Sequence, residues 1–406
     1  MTILKIRLKY TILLALLGPI LFAQNLRLKS PDSLVIAADR PGAYLASLYG
    51  KNVGLVVNHS SMLRDGQHLV DYLLASDIKL KKIFSPEHGF RGEASAGAKV
   101  ADGKDPKSGL PVISLYGNHK KPTVEDFAGL DIVIFDIQDV GTRFFTYIST
   151  LTYVMEAAAE QGLKVMVLDR PNPHGYYIDG PILESKHSSF VGMHPIPIVH
   201  GMTVAEYAQM VNGEKWLKGG IQCDLEVVPC LNYDHLTAYE LPIKPSPNLP
   251  NAWSINLYPS ICLFEGTSVS VGRGTEHPFQ LIGAPWFTES NYNFTPIDRP
   301  GAKNPPYEGE ACKGFLLTDF ADSYIDGLGE LYLFWLVESY NMAPEKAKFF
   351  KSYFTLLAGT KKLQAQIEAG KSADEIRATW QQGLESFQQI RRKYLLYDDF
   401  GLAGEY

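Results

Sequence analysis

The stretch Asp131-Ile132-Val133-Ile134-Phe135-Asp136-Ile137-Gln138-Asp139 decides the fold. Its centre is apolar and β-branched without polar alternation, the pattern of a strand covered on both faces by helices. Similar short apolar runs at 53–58, 81–85, 112–115, 165–169, 196–200 and 225–228 are read as further strands. Amphipathic stretches at 67–76, 124–128, 147–161 and 204–212 are read as the helices between them, the last opened by Thr203 with Glu206 as a capping box. Strand and helix in alternation predict an α/β, Rossmann-like, doubly wound and mostly parallel sheet.

Working outward, the composition changes at 241–251, where LPIKPSPNLPN holds four prolines in eleven residues. The domain transition is placed across 230–251. Beyond it strands are expected at 280–282 and 314–318, and helices at 329–340, 345–354, 361–369 and 373–391. That order gives a smaller α+β C-terminal domain. At 406 residues two domains are the natural division. The expected layout is 1–23 as an export signal, 24–235 as the Rossmann-like catalytic domain and 236–406 as the α+β domain that completes a cleft.

The export reading rests on Lys5, Arg7 and Lys9, followed by an apolar run over 11–23 and the polar Gln24-Asn25. The run is shorter than the roughly 20 apolar residues of a membrane span. An exported, periplasmic protein without stable membrane insertion after cleavage is therefore expected. A net charge of −6 from interspersed residues argues against a nucleic-acid partner, which requires a basic stripe. Four cysteines, Cys223, Cys230, Cys262 and Cys312, are too few for a disulfide scaffold; Cys223 and Cys230 either pair or stay as buried thiols.

The chemistry is sought in the turns after the apolar runs, because the carboxyl ends of parallel strands gather at one edge. Those turns supply Asn58-His59-Ser60-Ser61, Ser85-Pro86-Glu87-His88-Gly89, Gln138-Asp139-Val140-Gly141-Thr142-Arg143, Asp169-Arg170-Pro171-Asn172-Pro173 and His200-Gly201-Met202-Thr203. Glu87, just past a buried strand, suits a general acid, or else caps a helix or pairs with Arg91. Asp136 and Asp139 flank Gln138, and Arg143 can clamp a carboxylate or pair with Asp139. His59, His88 and His200 show no metal spacing, so neither metal nor cofactor is expected. In the second domain Glu265 and Arg273 sit in a glycine-rich segment lacking the Walker spacing. A loop contacting sugar from across the cleft fits it better than a nucleotide site. No Gly-x-Ser-x-Gly elbow is present for a serine esterase.

Ser85-Pro86-Glu87-His88-Gly89, with 135–143, 168–173 and 264–267 in order behind it, resembles the NamZ-type exo-β-N-acetylmuramidases, formerly a domain of unknown function. The resemblance implies a glycoside hydrolase removing terminal N-acetylmuramic acid from the non-reducing end of peptidoglycan fragments, as in wall turnover and recycling. It places the catalytic glutamate at Glu87. Glycosidic cleavage needs a second group, for which Asp136, Asp139, Glu93 and Glu265 compete. N-acetylmuramic acid carries a lactyl carboxylate, so Arg143, Arg170 and Arg273 are candidates to bind it, and Tyr147 or Phe279 to stack on a sugar face. Asn58, His59, His88, Gln138, Asp169 and His200 complete the candidate substrate contacts. The competing readings are a non-catalytic envelope protein that captures muropeptides and a metal-dependent amidase or esterase.

Overall fold

The computed structural model describes residues 30, 33–87, 89–90, 103–325 and 328–400. The expected export segment, His88, Arg91 and Glu93 lie outside them. Seven strands form the main sheet: β1 Asn52–Val57, β2 Lys79–Ser85, β3 Gly103–Lys104, β4 Pro111–Ser114, β5 Ile132–Asp136, β6 Lys164–Leu168 and β7 Asp224–Val228. Their spatial order is β3-β4-β2-β1-β5-β6-β7, and every pairing is parallel except β3 with β4 at the edge. The chain builds outward in both directions from β1, so the switch point lies between β1 and β5, where Val57 faces Asp136.

The sheet is buried on both faces, as the apolar runs required. Along β5, Val133 and Phe135 enter the core that also contains Leu151, Val154 and Val211. Ile132 and Ile134 enter the opposite layer with Leu69, Val70 and Leu73. Those partners lie on α1 Leu69–Ala75, α3 Tyr147–Gln161 and α4 Val204–Gly213; the short α2 Val124–Phe127 precedes β5. Thr203 and Glu206 form the anticipated capping box on α4.

One expected strand is absent among the described residues. The segment 196–200 makes only isolated bridges, Val199 to Thr142 and to Asp179. Pro195 and Pro197 remove the backbone donors that a ladder needs. His200 therefore ends a crossing segment and not a strand of the sheet.

After the proline-rich stretch the chain enters α5 Ala252–Ile261, capped reciprocally by Asn251 and Ser254. Pro259 within it masked the helix in the sequence. A three-stranded antiparallel sheet comes next, built from β8 Leu281–Ala284, β9 Tyr292–Phe294 and β10 Cys312–Leu316 in the order β8-β10-β9. The late helices are α6 Phe334–Met342, α7 Ser352–Ala358, α8 Lys362–Glu368, α9 Ala373–Ala378 and α10 Gln381–Arg391. The helix expected over 345–354 is instead a 3-10 turn at Lys346–Lys348 and then α7, and the one expected over 373–391 breaks between α9 and α10.

The two lobes share an interior. Phe135 and Val167 of the large sheet belong to one continuous apolar cluster with Phe264, Phe279, Leu336, Phe354 and Phe387 of the C-terminal lobe. All four cysteines are buried free thiols, so Cys223 and Cys230 do not pair.

Candidate active site

A cavity of about 600 Å³ opens where the turns after β2 and β4 and the start of α3 meet the C-terminal lobe. Glu87 stands on its wall two residues past β2. Its Oε1 accepts from the Tyr116 hydroxyl at 2.8 Å and its Oε2 from the Thr146 hydroxyl at 2.8 Å. Tyr116 comes from the turn after β4. Thr146 is the N-cap residue of α3, but its side chain caps no helical N–H and reaches Glu87. The positive end of a 15-residue helix dipole thus lies beside the carboxyl. Hydroxyl partners can donate to a carboxylate or accept from a carboxylic acid, so the same contacts serve both protonation states.

From the C-terminal lobe Glu265 also lines the cavity, held at 2.5 Å by Arg273 Nε. Burial opposes the charge on Arg273, yet Glu265 overcomes it and holds the guanidinium above its ordinary value. The Arg273 guanidinium also lies 4.9 Å from the Phe279 ring centroid. Phe279 takes φ 54°, a left-handed conformation uncommon for an aromatic residue, and Phe279 N–H donates to the Val271 carbonyl at 2.7 Å. Tyr353 lines the same space, its phenol pushed up by burial and then by the charges of Glu265, Cys262 and Glu87. That side chain senses both carboxylates, as expected of groups that face one space.

Of the residues nominated from sequence, Glu87, Tyr147, Glu265, Arg273 and Phe279 line the cavity. Tyr147 is buried, with its hydroxyl donating to the Pro245 carbonyl at 3.0 Å. The other nominated residues among those described do not line it. Asp136 is fully buried and gripped by Arg170 through two bonds of 2.6 and 2.9 Å, and Arg170 also donates to the Met62 carbonyl. Gln138 donates to the carbonyls of Asp139 and Pro171. Asn58 accepts from Ser60, and His59 Nε2 meets the Lys244 carbonyl at 2.7 Å. Asp139 accepts from Gly141 N–H, and burial pushes its carboxyl up to about 7 despite that bond. Asp169 is likewise pushed up to about 7 by burial while accepting from Tyr397 and Ala205. His200 is held neutral, down to about 3, by burial and then by the charge of Arg391.

Arg143 is the clearest departure from a ligand clamp. It is fully buried, pairs with no carboxylate among the described residues, and donates to four carbonyls, those of Pro181, Ile196, Leu357 and Ala358. Burial lowers it to about 9. Its planar fork ties the two lobes together instead of facing the cavity. Residues not nominated from sequence include Tyr116, Lys120, Thr146, Phe190, Tyr258 and Tyr353. Tyr116 and Lys120 come after the apolar run 112–115, whose turn carries no carboxylate or Arg to mark it.

Among the described residues no group of three or more His, Cys, Asp or Glu is arranged to hold a metal ion. No helix among them is long and apolar enough to cross a membrane.

Comparison with known proteins gives consistent matches. Residues 53–253 match the family described as exo-β-N-acetylmuramidase NamZ, N-terminal, and residues 256–397 match its C-terminal counterpart. A protein of Bacillus subtilis (strain 168) named peptidoglycan β-N-acetylmuramidase NamZ is 40% identical over 400 residues, covering 91% of this chain and 94% of its own. Two crystal structures of DUF1343 family proteins from Bacteroides fragilis NCTC 9343 share the fold. One has a TM-score of 0.84 at 48% identity, the other 0.75 at 28%, and each match covers 90% of this chain and 99% of the other. The two matched segments together span the described lobes and carry Glu87 and Glu265, and the chain belongs to the NamZ exo-β-N-acetylmuramidase family.

Proposed function

We propose that this protein is an exo-acting glycoside hydrolase that releases terminal N-acetylmuramic acid from the non-reducing end of peptidoglycan fragments. In this reading Glu87 is the proton donor and Glu265 the second carboxylate. The observation that carries the assignment is that two carboxylates from different lobes line one cavity of about 600 Å³. That volume suits a small ligand such as a terminal sugar.

The roles are argued from the partners. Cleavage breaks the bond between the anomeric carbon and the leaving oxygen, and the departing oxygen needs a proton while positive charge grows on the sugar ring. Glu87, among hydroxyls that tolerate either protonation state, is suited to give that proton. Glu265, oriented by its bond to Arg273, is suited to face the growing positive charge. Water then completes the hydrolysis at the anomeric carbon. Tyr353 and Phe190 offer aromatic faces to the sugar.

A chromogenic β-N-acetylmuramide tests the activity, with the corresponding glucosaminide as the control. Release from the muramide and little from the glucosaminide is expected; no release from the muramide overturns the reading. Glu87→Gln should lower kcat by at least about a thousandfold while leaving ligand affinity nearly intact. A variant that turns over as the parent does would refute Glu87 as the proton donor, whereas a parent that binds the muramide without releasing it would support the muropeptide-binding alternative. We further propose that the basic and apolar segment at 1–23 directs export to the periplasm. Cell fractionation checks this, and retention of the full-length chain in the cytoplasm would refute it.

A further inference from the structure

The muramidase reading requires a group to meet the lactyl carboxylate of the substrate, and the three arginines that the sequence offered are all engaged elsewhere. Arg143 is consumed by four carbonyls, Arg170 by Asp136, and Arg273 by Glu265. Two lysines also line the cavity. Lys303 is paired with Asp298 at 2.8 Å. Lys120 has no ion-pair partner among the described residues, and its ammonium sits 4.5 Å from the centroid of the Phe190 ring. We infer that Lys120 binds the carboxylate of the substrate's lactyl group and so sets the preference for a muramyl over a glucosaminyl residue.

The turn that carries Lys120 is built to present it. Tyr116 at its start reaches Glu87, and His119 is fixed to Asp126 at 2.7 Å. Lys121 is drawn the other way by Glu156 and Glu160, at 2.6 and 2.7 Å. With its neighbours anchored, Lys120 is the side chain of the turn left to face the ligand space. Its ring contact with Phe190, itself stacked on Tyr153, is weak at a partly exposed site, so it orients the ammonium without neutralising it. Ser189 lines the same wall beside Phe190, and its buried hydroxyl has no protein partner among the described residues. A cation and a neighbouring hydroxyl are the donors a carboxylate requires. Because Tyr116 and Lys120 share one turn, the group that recognises the acid substituent and a group that holds the catalytic carboxyl are fixed relative to each other. A glucosaminide lacks the lactyl group and leaves Lys120 unused.

This inference rests on the muramidase reading, and the test separates the two. Three substrates are compared: a chromogenic β-N-acetylmuramide, its lactyl methyl ester and the glucosaminide. The wild type should favour the acid over the ester by about ten- to hundredfold in kcat/KM, the range expected for a charge-assisted hydrogen bond. Lys120→Met should reduce that preference toward unity, mainly by raising KM for the acid, and Lys120→Arg should restore part of it. A wild type that cleaves acid and ester equally well, or a Lys120→Met variant that keeps the wild-type preference, overturns the assignment and leaves the muramidase reading standing. A wild type inactive on the muramide overturns both. Should Lys120→Met fail to fold, the acid-to-ester ratio of the wild type and of Lys120→Arg still decides.

Discussion

At the scale of single residues, the two carboxyls of the proposed site have unlike partners, hydroxyls for Glu87 and a guanidinium for Glu265. The Tyr116 hydroxyl contributes one of the bonds that fix Glu87, so Tyr116→Phe should lower kcat by about tenfold while shifting Tm little, as for loss of one partly exposed bond. Steady-state kinetics with a thermal melt checks this. Asp139 allows a sharper experiment. Burial pushes its carboxyl up to about 7, against 3.8 for the ordinary group, so the folded chain holds this proton more tightly than the unfolded chain does. Its contribution to stability is therefore greatest in acid and is lost as pH rises from about 4 through about 7. Asp139→Asn keeps an oxygen to accept from Gly141 and removes the forced ionisation. It should gain about 1 to 3 kcal/mol over the wild type at pH 8 and little at pH 4, read from urea unfolding at the two pH values. A gain of equal size at both would refute the account. Residue identities of this kind were only partly legible in the sequence. Glu87 was marked by its place past a strand and by the resemblance, but Thr146 reads as an ordinary helix cap until the fold shows its hydroxyl turned to Glu87. Tyr116 and Lys120 sit at the same sheet edge as the other candidates, in a turn without the acidic or guanidinium groups that draw attention.

At the scale of elements, the strands were readable because burial on both faces leaves a continuous apolar run, as in β5 and β6. The run at 196–200 imitates that pattern, and only Pro197 within it and Pro195 just before it betray that no ladder forms. α5 is the converse case, a capped helix concealed by an internal proline and by the proline-rich stretch before it. Arg143 shows why side-chain roles cannot be read from strand-end position. Its partners Leu357 and Ala358 lie 214 and 215 residues away, a closeness that local pattern cannot reveal. Arg143→Met should leave four buried carbonyls short of a donor and destabilise the protein by about 3 to 5 kcal/mol, measured by denaturant unfolding. Gly359, at φ 73°, sits where an added Cβ would come within 2.7 Å of Arg143 Nη2, so Gly359→Ala should weaken the same junction between lobes.

At the scale of the whole molecule, the two lobes act as one body. They share an apolar interior, and their polar junctions are buried. The cavity walls are set by that union, because Glu87 comes from one lobe and Glu265 from the other. The last described stretch strengthens it. Arg391 donates to the Gly201 carbonyl, Leu396 N–H to Glu206, and Tyr397 to Asp169. Ending the chain at Tyr394 should therefore lower Tm by several degrees and reduce turnover, which a melt and an activity assay on the shortened chain would show. The same strap bears on synthesis. Asp169 and Glu206, buried inside the first lobe, receive these partners from residues made about 190 to 230 positions later. The larger lobe therefore cannot be completed from its own residues as it leaves the ribosome. Its buried Asp169 and Glu206 gain their last partners only when the final described segment returns across a body that has waited for it.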